Sequence, residues 1–214
     1  MTICGWGCVM SPPMCPNPTQ SSPTQSGPTQ SSPMEQTNRE STALKILGVT
    51  GWSGAGKTTL LTELIPALTA RGLRVSTIKH AHHTFDVDQP GKDSYRHREA
   101  GAVEVLISAG VRWALMHENR NDEEPKLEDL LARMSPVDLV LVEGYKAEGH
   151  LKLEVHRHGL HKPLLCREDE SFIALAANYH PEGPDLGIPL LDLDDIGAVA
   201  DFVIDFCHSK GPAS

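Results

Sequence analysis

The sequence has no excess of positive charge: Lys and Arg number 19 against 28 Asp and Glu, a formal net charge of -9. Such a surface repels a phosphate backbone, and no basic run supplies a local exception, so general nucleic-acid binding is not expected. No apolar stretch reaches the ~18 residues of a membrane span, and the N-terminus does not pass from a basic segment into an apolar one. Membrane insertion and secretion have no support here, and a cytoplasmic protein is expected. Paired cysteine spacing is also missing. Of the five cysteines, Cys4, Cys8 and Cys15 do not form the pairs of a zinc ribbon. Cys166 and Cys207 stand among apolar residues, where they read as small buried hydrophobes rather than nucleophiles.

Charge is wholly absent from residues 1–34, where Pro-Thr-Gln-Ser-Ser, Pro-Thr-Gln-Ser-Gly and Pro-Thr-Gln-Ser-Ser repeat from Pro18. So little apolar content cannot offset the entropy of ordering, and residues 1–42 are expected to be a disordered low-complexity tail. The other reading of this segment is that translation begins at Met34. At 214 residues the chain suits one globular domain, expected over residues 43–208.

What is present begins with Leu44-Lys45-Ile46-Leu47-Gly48-Val49-Thr50, an apolar run compatible with a buried parallel strand. A glycine-rich turn follows. Residues 58–71 then form a helical stripe of Leu60, Leu61, Leu64, Ile65 and Leu68, bent at Pro66 and ended by Gly72. Residues 73–78 alternate as a strand and lead into a polar, histidine-bearing loop. A helix at 92–100, a hairpin of 103–107 with 112–117 about Ser108-Ala109-Gly110-Val111, and a helix at 127–134 are expected next. The clearest strand is 137–142; others are expected at 151–156, 172–176 and 188–191, with a closing helix at 195–207. Strands alternating with helices indicate an α/β fold, a mainly parallel sheet flanked by helices with a β-hairpin extension.

Gly51-Trp52-Ser53-Gly54-Ala55-Gly56-Lys57-Thr58 matches G-x-x-x-x-G-K-[ST], the phosphate loop of P-loop NTPases, with a strand directly before it and an amphipathic helix directly after. Glycines let successive backbone N–H groups curl around phosphate oxygens at the positive end of the helix. Lys57 is expected at the β and γ phosphates, the Thr58 hydroxyl on Mg2+, and Thr59 at the α phosphate. Gly48 and Gly110 read as turn or packing residues.

Such a loop needs an acid at the C-terminal end of a neighbouring strand. Glu143, followed by Gly144, meets that condition, whereas Asp138 stands at the start of the same strand. Glu143 is therefore the candidate for the metal shell and for catalysis. The same rule brings Lys79 and His80 to the nucleotide face, and Asp86 or Asp88 beyond them could orient water or bind magnesium. His80, His82 and His83 leave two readings open, a solvated or substrate-contacting loop and a zinc site.

Three blocks together resemble the MobB family of molybdopterin-guanine dinucleotide biosynthesis adapter proteins. They are Gly48 through Thr59; Thr77-Ile78-Lys79-His80-Ala81-His82-His83 with Asp88-Gln89-Pro90-Gly91-Lys92-Asp93-Ser94 and Ala100-Gly101-Ala102; and Asp138 through Val142 with Glu143-Gly144-Tyr145-Lys146. The resemblance covers about residues 44–206. It implies a homodimeric GTP-binding protein with weak GTPase activity that assists the guanylyltransferase attaching GMP to molybdopterin. That enzyme and molybdopterin or the molybdenum cofactor would be partners, and GTP and Mg2+ the ligands. By the same resemblance Gly54, Gly56, Lys57, Thr58 and Thr59 hold phosphate and magnesium, and the loop of residues 79–88 faces the γ phosphate or the pterin. Lys92, Arg96 and Arg98 are either contacts for an anionic pterin phosphate or a solvated helix face. No Asn-Lys-x-Asp motif occurs, so guanine preference rests on the resemblance, with Asn178 the candidate base contact. A small-molecule kinase, a metal-delivery GTPase and a nucleotide-gated binding module are the alternatives.

Overall fold

The computed structural model describes residues 44–81, 85–120, 123–145 and 148–209. The expectations for the tail 1–42, for His82 and His83, and for Lys146 lie outside these residues. Strand β1 (Lys45–Thr50) is buried from Leu47 onward because it has parallel partners on both sides. These are β5 (Leu139–Glu143) and β6 (Lys152–His156). With β2 (Val75–Lys79), β7 (Phe172–Ala177) and β8 (Leu190–Asp192) they form a six-stranded sheet of order β2-β5-β1-β6-β7-β8. Every ladder in it is parallel, so Thr50, Lys79, Glu143, His156, Ala177 and Asp192 all finish on the same edge. Ligand crevices of such sheets form at that edge.

Helices α1 (Lys57–Ala70) and α4 (Ile196–His208) pack against one another and cover one face. Leu47, Val49, Leu64, Leu68, Leu153, Val155, Val199 and Val203 are fully enclosed there. Each such side chain contributes about 1.5–3 kcal/mol. The helix runs on through Pro66 and ends where the sequence places its stop. Gly72 takes φ +91°, its N–H donates to Thr69 O (3.0 Å), and the Leu73 N–H reaches Leu68 O (3.2 Å). A left-handed residue after the helix is what lets these two bonds close. On the opposite face the short helix α3 (Leu127–Leu131) sets Leu127 against Val140 and Val142. It is shorter than expected because the chain tightens ahead of Pro136: Arg133 and Met134 donate to Leu130 and Leu131, three residues back.

Helix α2 (Asp93–Glu99) packs on a separate antiparallel hairpin, β3 (Glu104–Ala109) with β4 (Arg112–His117), turned by Gly110 and Val111. Gly48 is a packing residue: a Cβ there would stand 2.5 Å from His150 Nε2. A 3-10 turn at Leu165–Arg167 was not expected from the sequence. No described helix is long and apolar enough to cross a membrane.

Candidate functional site

Residues 51–56 bridge the end of β1 and the start of α1. Gly54 (φ +81°) and Gly56 (φ +96°) hold left-handed conformations that strain any L side chain, and a Cβ on Gly51 would collide with the Val155 carbonyl oxygen. Ala55 is buried, whereas Ser53, Thr58 and Thr59 are exposed. Lys57 folds back over the loop, its Nζ donating to Gly51 O (2.9 Å) and Trp52 O (3.0 Å). No side chain caps α1, and its first turn holds no acid. By contrast, Asp195 caps α4, accepting from the Ala198 N–H at 3.0 Å. The uncompensated positive end of α1, a left-handed glycine loop and one ammonium form an arrangement able to enclose an anion of phosphate size.

Glu143 stands beside this loop. In register it lies between Val49 of β1 and Lys79 of β2, and Lys79 Nζ is 3.5 Å from its Oε2. The His80 N–H donates to Glu143 O (2.9 Å), extending the ladder past β2. Gly144 (φ +101°) lets the two segments meet, since a Cβ there would lie 2.7 Å from His80 Cβ. His80 has Nε2 2.8 Å from Glu124 Oε1 and its ring 4.8 Å from that of Tyr145. Asp138 marks the far end of β5, where its carboxylate accepts from the Arg74 N–H (2.7 Å) and guanidinium (3.2 Å). Gly51, Ser53, Gly54, Ala55, Gly56, Lys57, Thr58 and Thr59 are thus gathered at one strand end, with Lys79, His80, Glu143 and Gly144 at the ends of the neighbouring strands.

Asp86 and Asp88 are engaged elsewhere. Arg98 of α2 donates to Asp88 (2.8 and 3.2 Å), to Asp86 (2.9 Å) and to Glu118 after β4 (3.0 Å). Its hydrogen bond holds the Asp88 carboxyl below the usual carboxylate range, and the Arg98 guanidinium is raised above its own. Arg98 therefore ties α2 to the hairpin and is not an open anion contact; Lys92 and Arg96 remain exposed. Among the described residues no three His, Cys, Asp or Glu side chains could hold a metal together. Burial pushes the thiols of Cys166 to about 12 and Cys207 to about 11, which disfavours the thiolate that a nucleophile needs.

Sequence reasoning missed the segment 157–163, which lies against the phosphate loop. Arg157 Nε would be 2.7 Å from a Cβ on Gly56, Leu160 lies 3.7 Å from the same position on Gly54, and Trp52 Nε1 donates to Pro163 O (2.8 Å). Buried polar groups of β6 hold this segment down. His156 donates from Nε2 to Lys162 O (3.1 Å) and accepts the Tyr179 hydroxyl on Nδ1 (2.9 Å), while Glu154 accepts the N–H groups of Leu165 and Cys166. The signal was available: Lys152, Glu154 and His156 alternate with Leu153 and Val155 in a strand buried on both faces. At the ends of β7 and β8 a cleft of about 350 Å³ is lined by Asn178, Tyr179, His180 and Asp192. Asn178 Oδ1 accepts the His158 N–H there at 2.9 Å.

Residues 46–178 match the family model MobB, described as molybdopterin guanine dinucleotide synthesis protein B. The chain belongs to the MobB family. It is 46% identical over 172 residues to the molybdopterin-guanine dinucleotide biosynthesis adapter protein of Escherichia coli K12, covering 79% of this chain and 97% of that one. Against the Haemophilus influenzae protein of the same name it is 45% identical over 168 residues, 77% of this chain and 90% of that one. A crystal structure of molybdopterin-guanine biosynthesis protein B superposes with a TM-score of 0.60 at 26% identity, over 75% of this chain and 99% of the other. A MobB homologue from Bacillus stearothermophilus gives 0.57 at 25% identity, over 77% and 99%. The MobB match takes in the phosphate loop, the Glu143 strand end and the segment 157–163, and it stops at Asn178.

Proposed function

We propose that this MobB-family chain is an adapter of molybdopterin-guanine dinucleotide biosynthesis that binds GTP with Mg2+, hydrolyses it slowly, and acts as a cytoplasmic homodimer with the molybdopterin guanylyltransferase. The observation that carries this reading is the register of β1 with β5, which sets Glu143 beside the residue two before the phosphate loop. Lys57 already arches over that loop and needs only to exchange two carbonyl oxygens for phosphate oxygens. Thr58 and Glu143 would hold the metal, which when bound neutralises phosphate charge and polarises water.

The cleft beside Asn178 lies two strands from β1, about 10 Å at ~4.8 Å per strand, which is the reach of a nucleoside from its phosphates. With Oδ1 occupied by the His158 N–H, the Asn178 amide presents its NH2 to an acceptor on the base. The Asp192 carboxylate could then take the two N–H donors of guanine, where adenine offers one edge donor.

Calorimetric titration of Mg-GTP against Mg-ATP, repeated with the guanylyltransferase and molybdopterin present, tests this reading. Tighter binding of GTP by about tenfold or more is expected, a difference of ~1.4 kcal/mol. No heat with either nucleotide would remove the proposal.

A further inference from the structure

Segment 157–163 sets a further cation, Arg157, against the phosphate loop. Arg157 directly follows His156, whose buried ring is fixed at both nitrogens, and its own carbonyl accepts the Leu160 N–H at 3.3 Å. The backbone at Arg157 is therefore held on both sides. Its guanidinium rests against Gly56, the residue whose successors, Lys57 and Thr58, open the helix that ends the phosphate loop.

The ion pairs of this arginine distinguish it from the others near the sheet. Arg98 has three carboxylates within 3.0 Å, and Arg74 is chelated by Asp138. Arg157 has an Asp194 oxygen at 3.7 Å, a loose pair whose side chains are 35% and 63% exposed. Water screens such a pair to little net worth. A triphosphate carries about four negative charges, and magnesium with Lys57 supplies about three positive ones, so a further cation against the loop meets an unbalanced charge. The planar fork of a guanidinium suits two phosphate oxygens at once.

We propose that Arg157 is a phosphate-contacting residue, lying against Gly56 so that it exchanges Asp194 for the oxygens of the nucleotide. The inference rests on the nucleotide reading above and adds to it a residue outside the loop motif. A purely structural alternative, Arg157 as a strut between the segment and Asp194, makes the opposite prediction for the acid.

Full-length wild type, Arg157→Gln, Arg157→Lys and Asp194→Asn are titrated with Mg-GTP. Arg157→Gln is expected to bind about tenfold or more weakly, from loss of a charge-assisted contact. Arg157→Lys falls between it and the wild type, and Asp194→Asn binds no more weakly than the wild type. Unchanged affinity in Arg157→Gln overturns the inference, and so does a loss in Asp194→Asn equal to that in Arg157→Gln, the signature of a strut. If Arg157→Gln does not fold, the wild type decides: phenylglyoxal labelling of Arg157, read by peptide mass spectrometry, should be suppressed by saturating Mg-GTP and not by Mg2+ alone. Undiminished labelling overturns it. A wild type that binds no GTP removes the proposed function together with this inference, whereas binding by the wild type with an unchanged Arg157→Gln removes only the inference.

Discussion

At the scale of single residues, the proposed function assigns nucleotide chemistry to one end of β5 and leaves stability to the other. Glu143 sits at the loop end beside Lys79, and Asp138 sits at the other end beneath Arg74. Glu143→Gln keeps the side chain's size and removes the charge offered to metal or water. It should slow single-turnover GTP hydrolysis by about 10-fold or more with little change in GTP affinity. Asp138→Asn should leave turnover unchanged and lower the melting temperature, since a hydrogen bond to a charged group is worth about 1.5–3 kcal/mol. Lost turnover in Asp138→Asn with normal turnover in Glu143→Gln would refute the direction of catalysis along the sheet. Lys57→Ala takes away two hydrogen bonds to loop carbonyls and no member of the buried core, so the protein should stay folded while Mg-GTP binding disappears. Calorimetric binding equal to wild type in a folded Lys57→Ala protein would contradict the use of this loop for phosphate.

Among the elements, α2 and the hairpin are tied together by the guanidinium of Arg98. Arg98 gathers Asp86 and Asp88 from before α2 and Glu118 from beyond β4. The Asp88 carboxyl titrates below its ordinary 3.8 in the folded state because Arg98 donates to it. A depressed folded value means that the pair stabilises fully above the unfolded value, and that this contribution falls away as pH drops through the folded one. The melting-temperature gap between wild type and Arg98→Gln should therefore narrow as the pH is lowered from about 5 to about 3. A gap that stays constant would show that the pair is not what α2 relies on. This clasp also shows what sequence pattern reveals and what it does not. β1, α1 and Gly72 were legible because a buried strand, a 3.6-residue stripe and a left-handed stop each leave a local signature. The position of Glu143 was legible because an acid at a strand's C-terminal end falls on the edge of a parallel sheet where crevices form. Arg98 read equally well as an anion contact, since nothing local reports that carboxylates 10, 12 and 20 residues away converge on it. Arg157 was invisible for the same reason: its neighbour Gly56 is about a hundred residues earlier.

For the whole molecule the open question is what covers the hairpin. Its two strands stand apart from the main sheet, so neither has a further ladder partner among the described residues, and a two-stranded sheet alone is marginal in water. Strand alternation divides its side chains. Val105 turns inward and is buried, while Leu106, Leu115 and Trp113, in the pairs Leu106 with Leu115 and Ser108 with Trp113, share the other face. Leu106 is 60% and Trp113 66% exposed, and Val111 at the tip is 89% exposed. Three large apolar groups on one face of an edge hairpin are a liability unless another surface covers them, and a second copy of the same hairpin is self-complementary. Leu106→Asp with Trp113→Ser should therefore convert a dimer to a monomer in light scattering after size exclusion. The buried sheet, α1 and α4 take no part in that face, so the variant should keep its GTP affinity. A wild type that is monomeric at micromolar concentration would remove the dimer, and a variant that stays dimeric would place its contact on another face.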